Sequence, residues 1–254
     1  MLVCVKRVPD IAGEVLLAED AQSVDARHVG YTVSPHEECA VEMAIQIAGA
    51  SGGEADVLSL GSADAVEQLR NALALGCSRA LLIEAEVDRF GPADVAAAIA
   101  EVVGEREAAG ITYDLVLLGN DAADTGDFQV GVRLAYALAR PVVTGISTCE
   151  VQGDRVLARG EGPQGTEVFE LPLPAVVTVM EGGVTPRYPS IPGRMKAKRI
   201  SVETVPTTVD PVGTRRVRLK LPPSRPSTVE ILGEGAEAAP AVVDLLTRIG
   251  VLAR

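Results

Sequence analysis

Tyr113–Gly131 reads YDLVLLGNDAADTGDFQVG. Its opening Tyr113–Leu118 is an apolar run with the length of a buried strand. Gly119 ends the run and an acidic loop with a further glycine follows. Val130, Leu134 and Leu138 then recur at helical spacing until Pro141 stops the pattern. Strand, glycine loop and helix in that order form the unit from which parallel α/β sheets are built.

The same unit recurs upstream. Leu2–Val8, Ala55–Leu60 and Arg79–Ile83 are further short apolar runs. Ser34-Pro35-His36-Glu37 has the signature of a helix start: a serine cap, a proline in the first turn, and a glutamate that completes a capping box. Ala40, Met43, Ala44 and Ile47 continue it as one buried face. Val66, Leu69 and Leu73 mark a second helix after Ser62, and Val95, Ile99 and Val102 a third, opened by Gly91-Pro92 and ended near Gly110. Strands alternating with crossover helices predict a parallel sheet covered on both faces, with ligands beyond the carboxyl ends of its strands. The loops after Val8, Leu60 and Leu118 are therefore the ones to watch.

After Pro141 the rhythm changes. Val142–Val151, Arg155–Arg159, Thr166–Leu171 and Ala175–Met180 read as short strands joined by glycine-rich turns, an antiparallel extension of the sheet. EGGVTPRYPSIPGRMKAKR, residues 181–199, is rich in proline, glycine and basic residues and reads as a loop. From Val205 the chain is proline-rich with little periodicity, and it ends in a short amphipathic helix marked by Ala241, Val242, Leu245, Leu246 and Ile249. The expected division is an α/β domain over 1–204, with a docking loop near 184–200, and a C-terminal arm over 205–254. Such an arm cannot bury itself well; wrapping a partner and disorder are both open.

The composition narrows the function. Twenty-three basic against 35 acidic residues give a net charge of −12 over 254 residues. So acidic a chain is unsuited to neutralising phosphates, and no nucleic acid is expected as a partner. Cys4, Cys39, Cys77 and Cys149 are scattered, without a C-x-x-C pair or neighbouring histidines, so no metal site and no disulfide framework are expected. Four reduced thiols fit a cytoplasmic type of compartment. MLVCVKRVPD has no basic region followed by a long apolar stretch, and no apolar run reaches the roughly 20 residues of a membrane span, so no direct membrane insertion is expected. His28 and His36 are the sole histidines, and no catalytic constellation is indicated.

Two segments carry chemistry. In Gly119–Gly131, N–H groups at a helix start, backed by the helix dipole, suit a phosphate, and Gln129 can reach a phosphate or a ribose. Asp121, Asp124 and Asp127 are wrong for an anion and suit ribose hydroxyls or loop turning. On residues alone, a nucleotide site and a plain strand–helix turn are both open. No Gly-x-Gly-x-x-Gly stands between a strand and a helix (GEGPQG, residues 160–165, joins two short strand runs), and the P-loop pattern is absent from the chain. In Pro186–Arg199, five basic residues (Arg187, Arg194, Lys196, Lys198, Arg199) surround Ile191 and Met195, while Pro186, Pro189 and Pro192 stiffen the segment. An apolar knob with a basic rim is the layout of a docking loop; a solvated linker is the alternative.

In order and spacing, VCVKRVPD, SPHEECAVEMAIQI, LRNALALGCSRALLI, YDLVLLGNDAADTGDFQVG, LPLPAVVTVMEGGVTPRYPSIPGRMKAKR and PPSRPSTVEILG together resemble the electron transfer flavoprotein beta-subunit family. The resemblance spans nearly the whole chain. It implies a Rossmann-like, adenine-nucleotide-binding fold and an alpha-subunit partner that holds the redox FAD and is wrapped by the arm. It implies a carrier and not an enzyme, with AMP as a structural ligand or, in a bifurcating subgroup, a second FAD in its place. Carried over by position, the nucleotide contacts fall on Cys4, on Ser34, Pro35, His36 and Glu37, on Leu60, and on Gly119, Asn120, Asp121, Ala122, Ala123, Asp124, Thr125, Gly126, Asp127, Phe128, Gln129 and Val130. The loop that docks dehydrogenases falls on Ile191, Pro192, Arg194, Met195 and Lys196. Acyl-CoA or other dehydrogenases are the implied donors, as in fatty acid β-oxidation, and a quinone oxidoreductase is the implied acceptor. The implied location is cytoplasmic, or the mitochondrial matrix in a eukaryote. The chain departs from the family pattern at Ser34 (commonly asparagine), at His36 and Ile11 (commonly aromatic), and in Asp124–Gln129, which matches neither subgroup fully. A stand-alone nucleotide sensor on a related fold is the rival from another class.

Overall fold

The computed structural model describes residues 1–10, 15–27, 29–214, 216–223 and 229–252. Two positions noted above, Ile11 and His28, lie outside the described residues. The chain forms two compact units, Met1–Leu219 and Lys220–Arg254.

Eleven strands occur among the described residues of the first unit: β1 (Leu2–Cys4), β2 (Val8–Pro9), β3 (Tyr31–Thr32), β4 (Asp56–Gly61), β5 (Arg79–Glu84), β6 (Leu115–Gly119), β7 (Val142–Gln152), β8 (Arg155–Gly162), β9 (Gly165–Pro172), β10 (Ala175–Val179) and β11 (Val202–Val205). Its helices are α1 (Pro35–Ser51), α2 (Val66–Leu75), α3 (Pro92–Ala108), α4 (Val130–Ala137) and α5 (Ile191–Ala197). Nine strands make one sheet in the order β11-β5-β4-β1-β6-β10-β7-β8-β9, and β2 pairs with β3 separately. The sheet is parallel from β11 to β7. The β7–β8 and β8–β9 pairs are antiparallel.

Side-chain alternation sorts the core into two layers. Val3, Val57, Leu82, Leu117 and Val177 face α1 and α2, where Ala40, Met43, Ala44, Ile47, Leu69 and Leu73 meet them. Leu2, Leu58, Leu81, Val116 and Val176 face α3 and α4, where Ile99, Val102 and Leu134 pack. Both faces are covered, which is why the inner strands read as unbroken apolar runs. Each fully buried Leu or Val contributes about 1.5–3 kcal/mol relative to exposure.

Two elements differ from the sequence reading. Ala175–Met180 is not part of the antiparallel extension: β10 lies between β6 and β7, parallel to both. A short apolar run fits either direction, and the strand order is set by packing that the run does not encode. Residues 191–197, read as loop, form α5. Ser190 caps it by accepting the Gly193 N–H at 3.1 Å, and Pro192 sits in the first turn. The Pro and Gly content suggested a breaker, but at a helix start proline is compatible with the helix.

The second unit contains a 3-10 turn, Gly235–Ala238, and helix α6 (Ala239–Arg248). No residue of α6 is buried, and Val243 and Ile249 are exposed.

Candidate functional site

The chain runs from β1 outward through β4 to β5, then returns to place β6 on the other side of β1. The order therefore reverses between β1 and β6, and the crevice beyond their carboxyl ends is where such sheets take ligands. Three segments meet there: the residues after β1, the start of α1, and the loop Asn120–Gln129 between β6 and α4.

The capping box at α1 holds the start of the helix. Glu37 accepts the Ser34 N–H at 3.0 Å and the Lys6 N–H at 2.8 Å. Burial pushes the Glu37 carboxyl up to about 8, against the pull of those two backbone donors. Gly119 closes the contact between β6 and α1: a β-carbon there would stand 2.7 Å from Glu37 Cγ and 3.1 Å from the Glu37 nitrogen.

Three contacts then tie the loop to this frame. The Ser34 hydroxyl accepts the Ala123 N–H at 3.0 Å. Lys6 Nζ lies 2.7 Å from Asp124 Oδ1. His36 Nδ1 lies 2.6 Å from Asp121 Oδ1, within ion-pair reach but without the alignment of a hydrogen bond. At the loop's base, Asn120 Oδ1 accepts the Gly145 N–H at 3.0 Å and the Thr178 hydroxyl at 2.6 Å. Within the loop, Ala122 O accepts the N–H groups of Thr125 and Gly126, and Gly126 takes the left-handed backbone (φ 58°) that this turn requires. Phe128 also has a left-handed backbone (φ 54°), uncommon for an aromatic residue. It is exposed, as are Ala123, Thr125 and Asp127.

Helix α4 begins at Val130 without a side-chain cap. Its first N–H groups have no partner within the helix and remain for a ligand at the positive end of the dipole. Gln129, expected to reach a ligand, accepts from Arg133 Nε and Nη2 at 3.0 and 2.9 Å. Asp124 faces the Lys6 ammonium and Asp121 faces the His36 ring, so both carboxylates are engaged within the chain and Lys6 offsets one negative charge of the loop. The donor set and the shared crevice fit the phosphate of a nucleotide.

Of the remaining expected contacts, Cys4 ends β1 beside Leu118 of β6, and Leu60 lies one strand further out on β4; both are buried. Burial pushes the Cys4 thiol up to about 12, so it is not a nucleophile. Pro35 is exposed in the first turn of α1. A cleft of about 340 Å³ lined by Tyr31, Gln68, Arg70, Asn71, Arg194 and Lys198 lies between α2 and α5 and does not include the loop.

Sequence reasoning missed Lys6, although a lysine directly after the first strand of a parallel sheet is a detectable signal. It also missed Glu42. Arg187, counted among the docking cations, is held by that residue: its Nε and Nη2 each lie 2.7 Å from a Glu42 carboxylate oxygen. On α5, Ile191 and Met195 share one face at i, i+4 and are 80% and 53% exposed; Pro192, Arg194 and Lys196 are exposed beside them.

Fold and crevice define a Rossmann-like α/β protein with a nucleotide-compatible loop at its topological switch point. Residues 23–210 match the electron transfer flavoprotein domain. Among curated relatives, the electron transfer flavoprotein subunit beta of Syntrophomonas wolfei is 33% identical over 92% of this chain and 90% of its own length. That of Bacillus subtilis is 31% identical over 97% and 96%. The human one is 36% identical over 81% and 80%. The chain belongs to the electron transfer flavoprotein beta-subunit family.

Proposed function

We propose that this chain binds AMP as a structural ligand on the Asn120–Val130 loop, supports an FAD-bearing alpha subunit, and docks electron-donating dehydrogenases through α5. The observation that carries the nucleotide reading is the convergence of Lys6, Ser34 and His36 on Asp124, Ala123 and Asp121 beside the uncapped start of α4. FAD supplies the redox chemistry from the alpha subunit. This chain's own work is to bind and to position.

Docking rests on the exposed Ile191 and Met195 with Arg194 and Lys196 beside them. Apolar anchors in a cationic rim bind an acidic-rimmed apolar pocket with steering from a distance. Acyl-CoA or other dehydrogenases are the donors in this reading and a quinone oxidoreductase is the acceptor. No helix among the described residues is long and apolar enough to cross a membrane, so a membrane-bound acceptor is reached through contact with that protein. The exposed α6 and the segment before it are the arm that embraces the alpha subunit. The setting is cytoplasmic, or the mitochondrial matrix in a eukaryotic source.

The test is the nucleotide content of the chain co-purified with its alpha partner. One FAD and one AMP per heterodimer support the proposal. Two FAD and no AMP replace it with a bifurcating complex. No stable partner and no adenine ligand return the chain to the sensor class.

A further inference from the structure

We propose that Lys6 is the counter-charge that lets this acidic loop accept a phosphate. The inference rests on the nucleotide reading of the crevice and adds a residue and a role to it.

Asp124 lies two residues before Gly126 and six before the first residue of α4, within the segment read as the phosphate cradle. An uncompensated carboxylate there repels an incoming phosphate in a partly desolvated setting, where charges are poorly screened. Lys6 Nζ stands 2.7 Å from Asp124 Oδ1, with the two side chains 27% and 16% exposed. Glu37 also lies near Lys6, and the hydrogen bond between them is through the Lys6 backbone N–H. Burial raises the Glu37 carboxyl to about 8, and Asp124 is the carboxylate that the ammonium itself reaches.

The pair is not needed to shape the loop. The Ser34–Ala123 bond, the Asn120 bonds to Gly145 and Thr178, and the Ala122 turn fix it independently. What the pair changes is the local charge. Lys6 comes from the end of β1 and Asp124 from the loop after β6, so the two strands flanking the switch point each supply one member. Lys6 is a positioning residue in this account, because it acts on the phosphate through Asp124.

The charge logic separates this role from simple tethering. Affinities for AMP and for adenosine are measured on the heterodimer stripped of nucleotide, for the wild type, Lys6→Met, Lys6→Arg, Asp124→Asn and the double variant Lys6→Met/Asp124→Asn. Lys6→Met is expected to weaken AMP about tenfold while leaving adenosine unchanged, and Lys6→Arg to bind as the wild type does. The double variant is expected to recover most of the loss, because the repelling carboxylate is gone. Asp124→Asn alone is expected to bind AMP at least as tightly as the wild type, which keeps the test decisive if Lys6→Met does not fold. An unchanged AMP affinity in Lys6→Met, an equal loss for adenosine, or a loss in Asp124→Asn matching that in Lys6→Met overturns the role of Lys6. A wild type that binds neither ligand overturns the nucleotide reading itself.

Discussion

Glu42 and Arg187 join helix α1 to the segment leading into α5: the guanidinium makes two 2.7 Å bonds to a buried carboxylate, and the Arg187 N–H adds a third at 3.2 Å. The Arg187 bonds hold the Glu42 carboxyl below the usual carboxylate range. Helix α1 therefore carries the frame of the Asn120–Gln129 loop at its start and the anchor of the segment before α5 two turns on.

Glu42→Ala releases that anchor. The Arg187 side chain is 47% exposed, so the cost in stability is expected at about 1–2 kcal/mol, below that of a fully buried pair. The clearer effect is local. Trypsin is expected to cut at Arg187 and Arg194 faster than in the wild type, as read by mass spectrometry over a time course. Unchanged cleavage would show that the bond does not hold the segment.

Glu37 gives a pH signature. Its carboxyl keeps its proton up to about 8 in the folded chain, whereas the ordinary value is 4.5. Between these values the folded state binds more protons than the unfolded one, so this group's contribution to stability falls as pH rises through the window. Glu37→Gln keeps one acceptor for the Lys6 and Ser34 N–H groups and loses the other, so it is less stable throughout. Its stability relative to the wild type is expected to improve from pH 5 to pH 8. Parallel denaturation midpoints across that range would contradict a protonated Glu37.

Gly126→Val tests the turn under the proposed phosphate site. A β-branched residue at a φ of 58° is strained, so the loop is expected to rearrange. Bound AMP should be lost while thermal stability falls by only a few degrees, because the loop lies outside the core. Full retention of AMP would remove this loop from the site.

Ile191→Ala tests docking. The side chain is 80% exposed, so folding and assembly are expected to be unaffected. Electron transfer from a partner dehydrogenase should slow about tenfold or more, chiefly through a raised KM. A rate equal to that of the wild type would sink the anchor role of Ile191.

Much of the fold is legible in the sequence because local and global signals agree. Ser34-Pro35-His36-Glu37 announces a capped helix, and Tyr113–Leu118 followed by Gly119 announces a buried strand and its end, whereas the close approach of Gly119 to that helix shows only in the structure. What escapes is what pairing and distance decide. Nothing in AVVTV says that β10 inserts between β6 and β7, and VETV of β11 is too short and too polar to read as an edge strand. The same holds in the crevice. The loop was visible, but Lys6 and Asp124 are 118 positions apart, and only the adjacency of β1 and β6 brings them together.

Backbone hydrogen exchange of the heterodimer with and without AMP tests the proposed location of the nucleotide site most directly. Ligand-dependent protection is predicted in residues 120–132 and at the start of α1, with little change along α2. Protection confined to the cleft between α2 and α5, with none in residues 120–132, would contradict it.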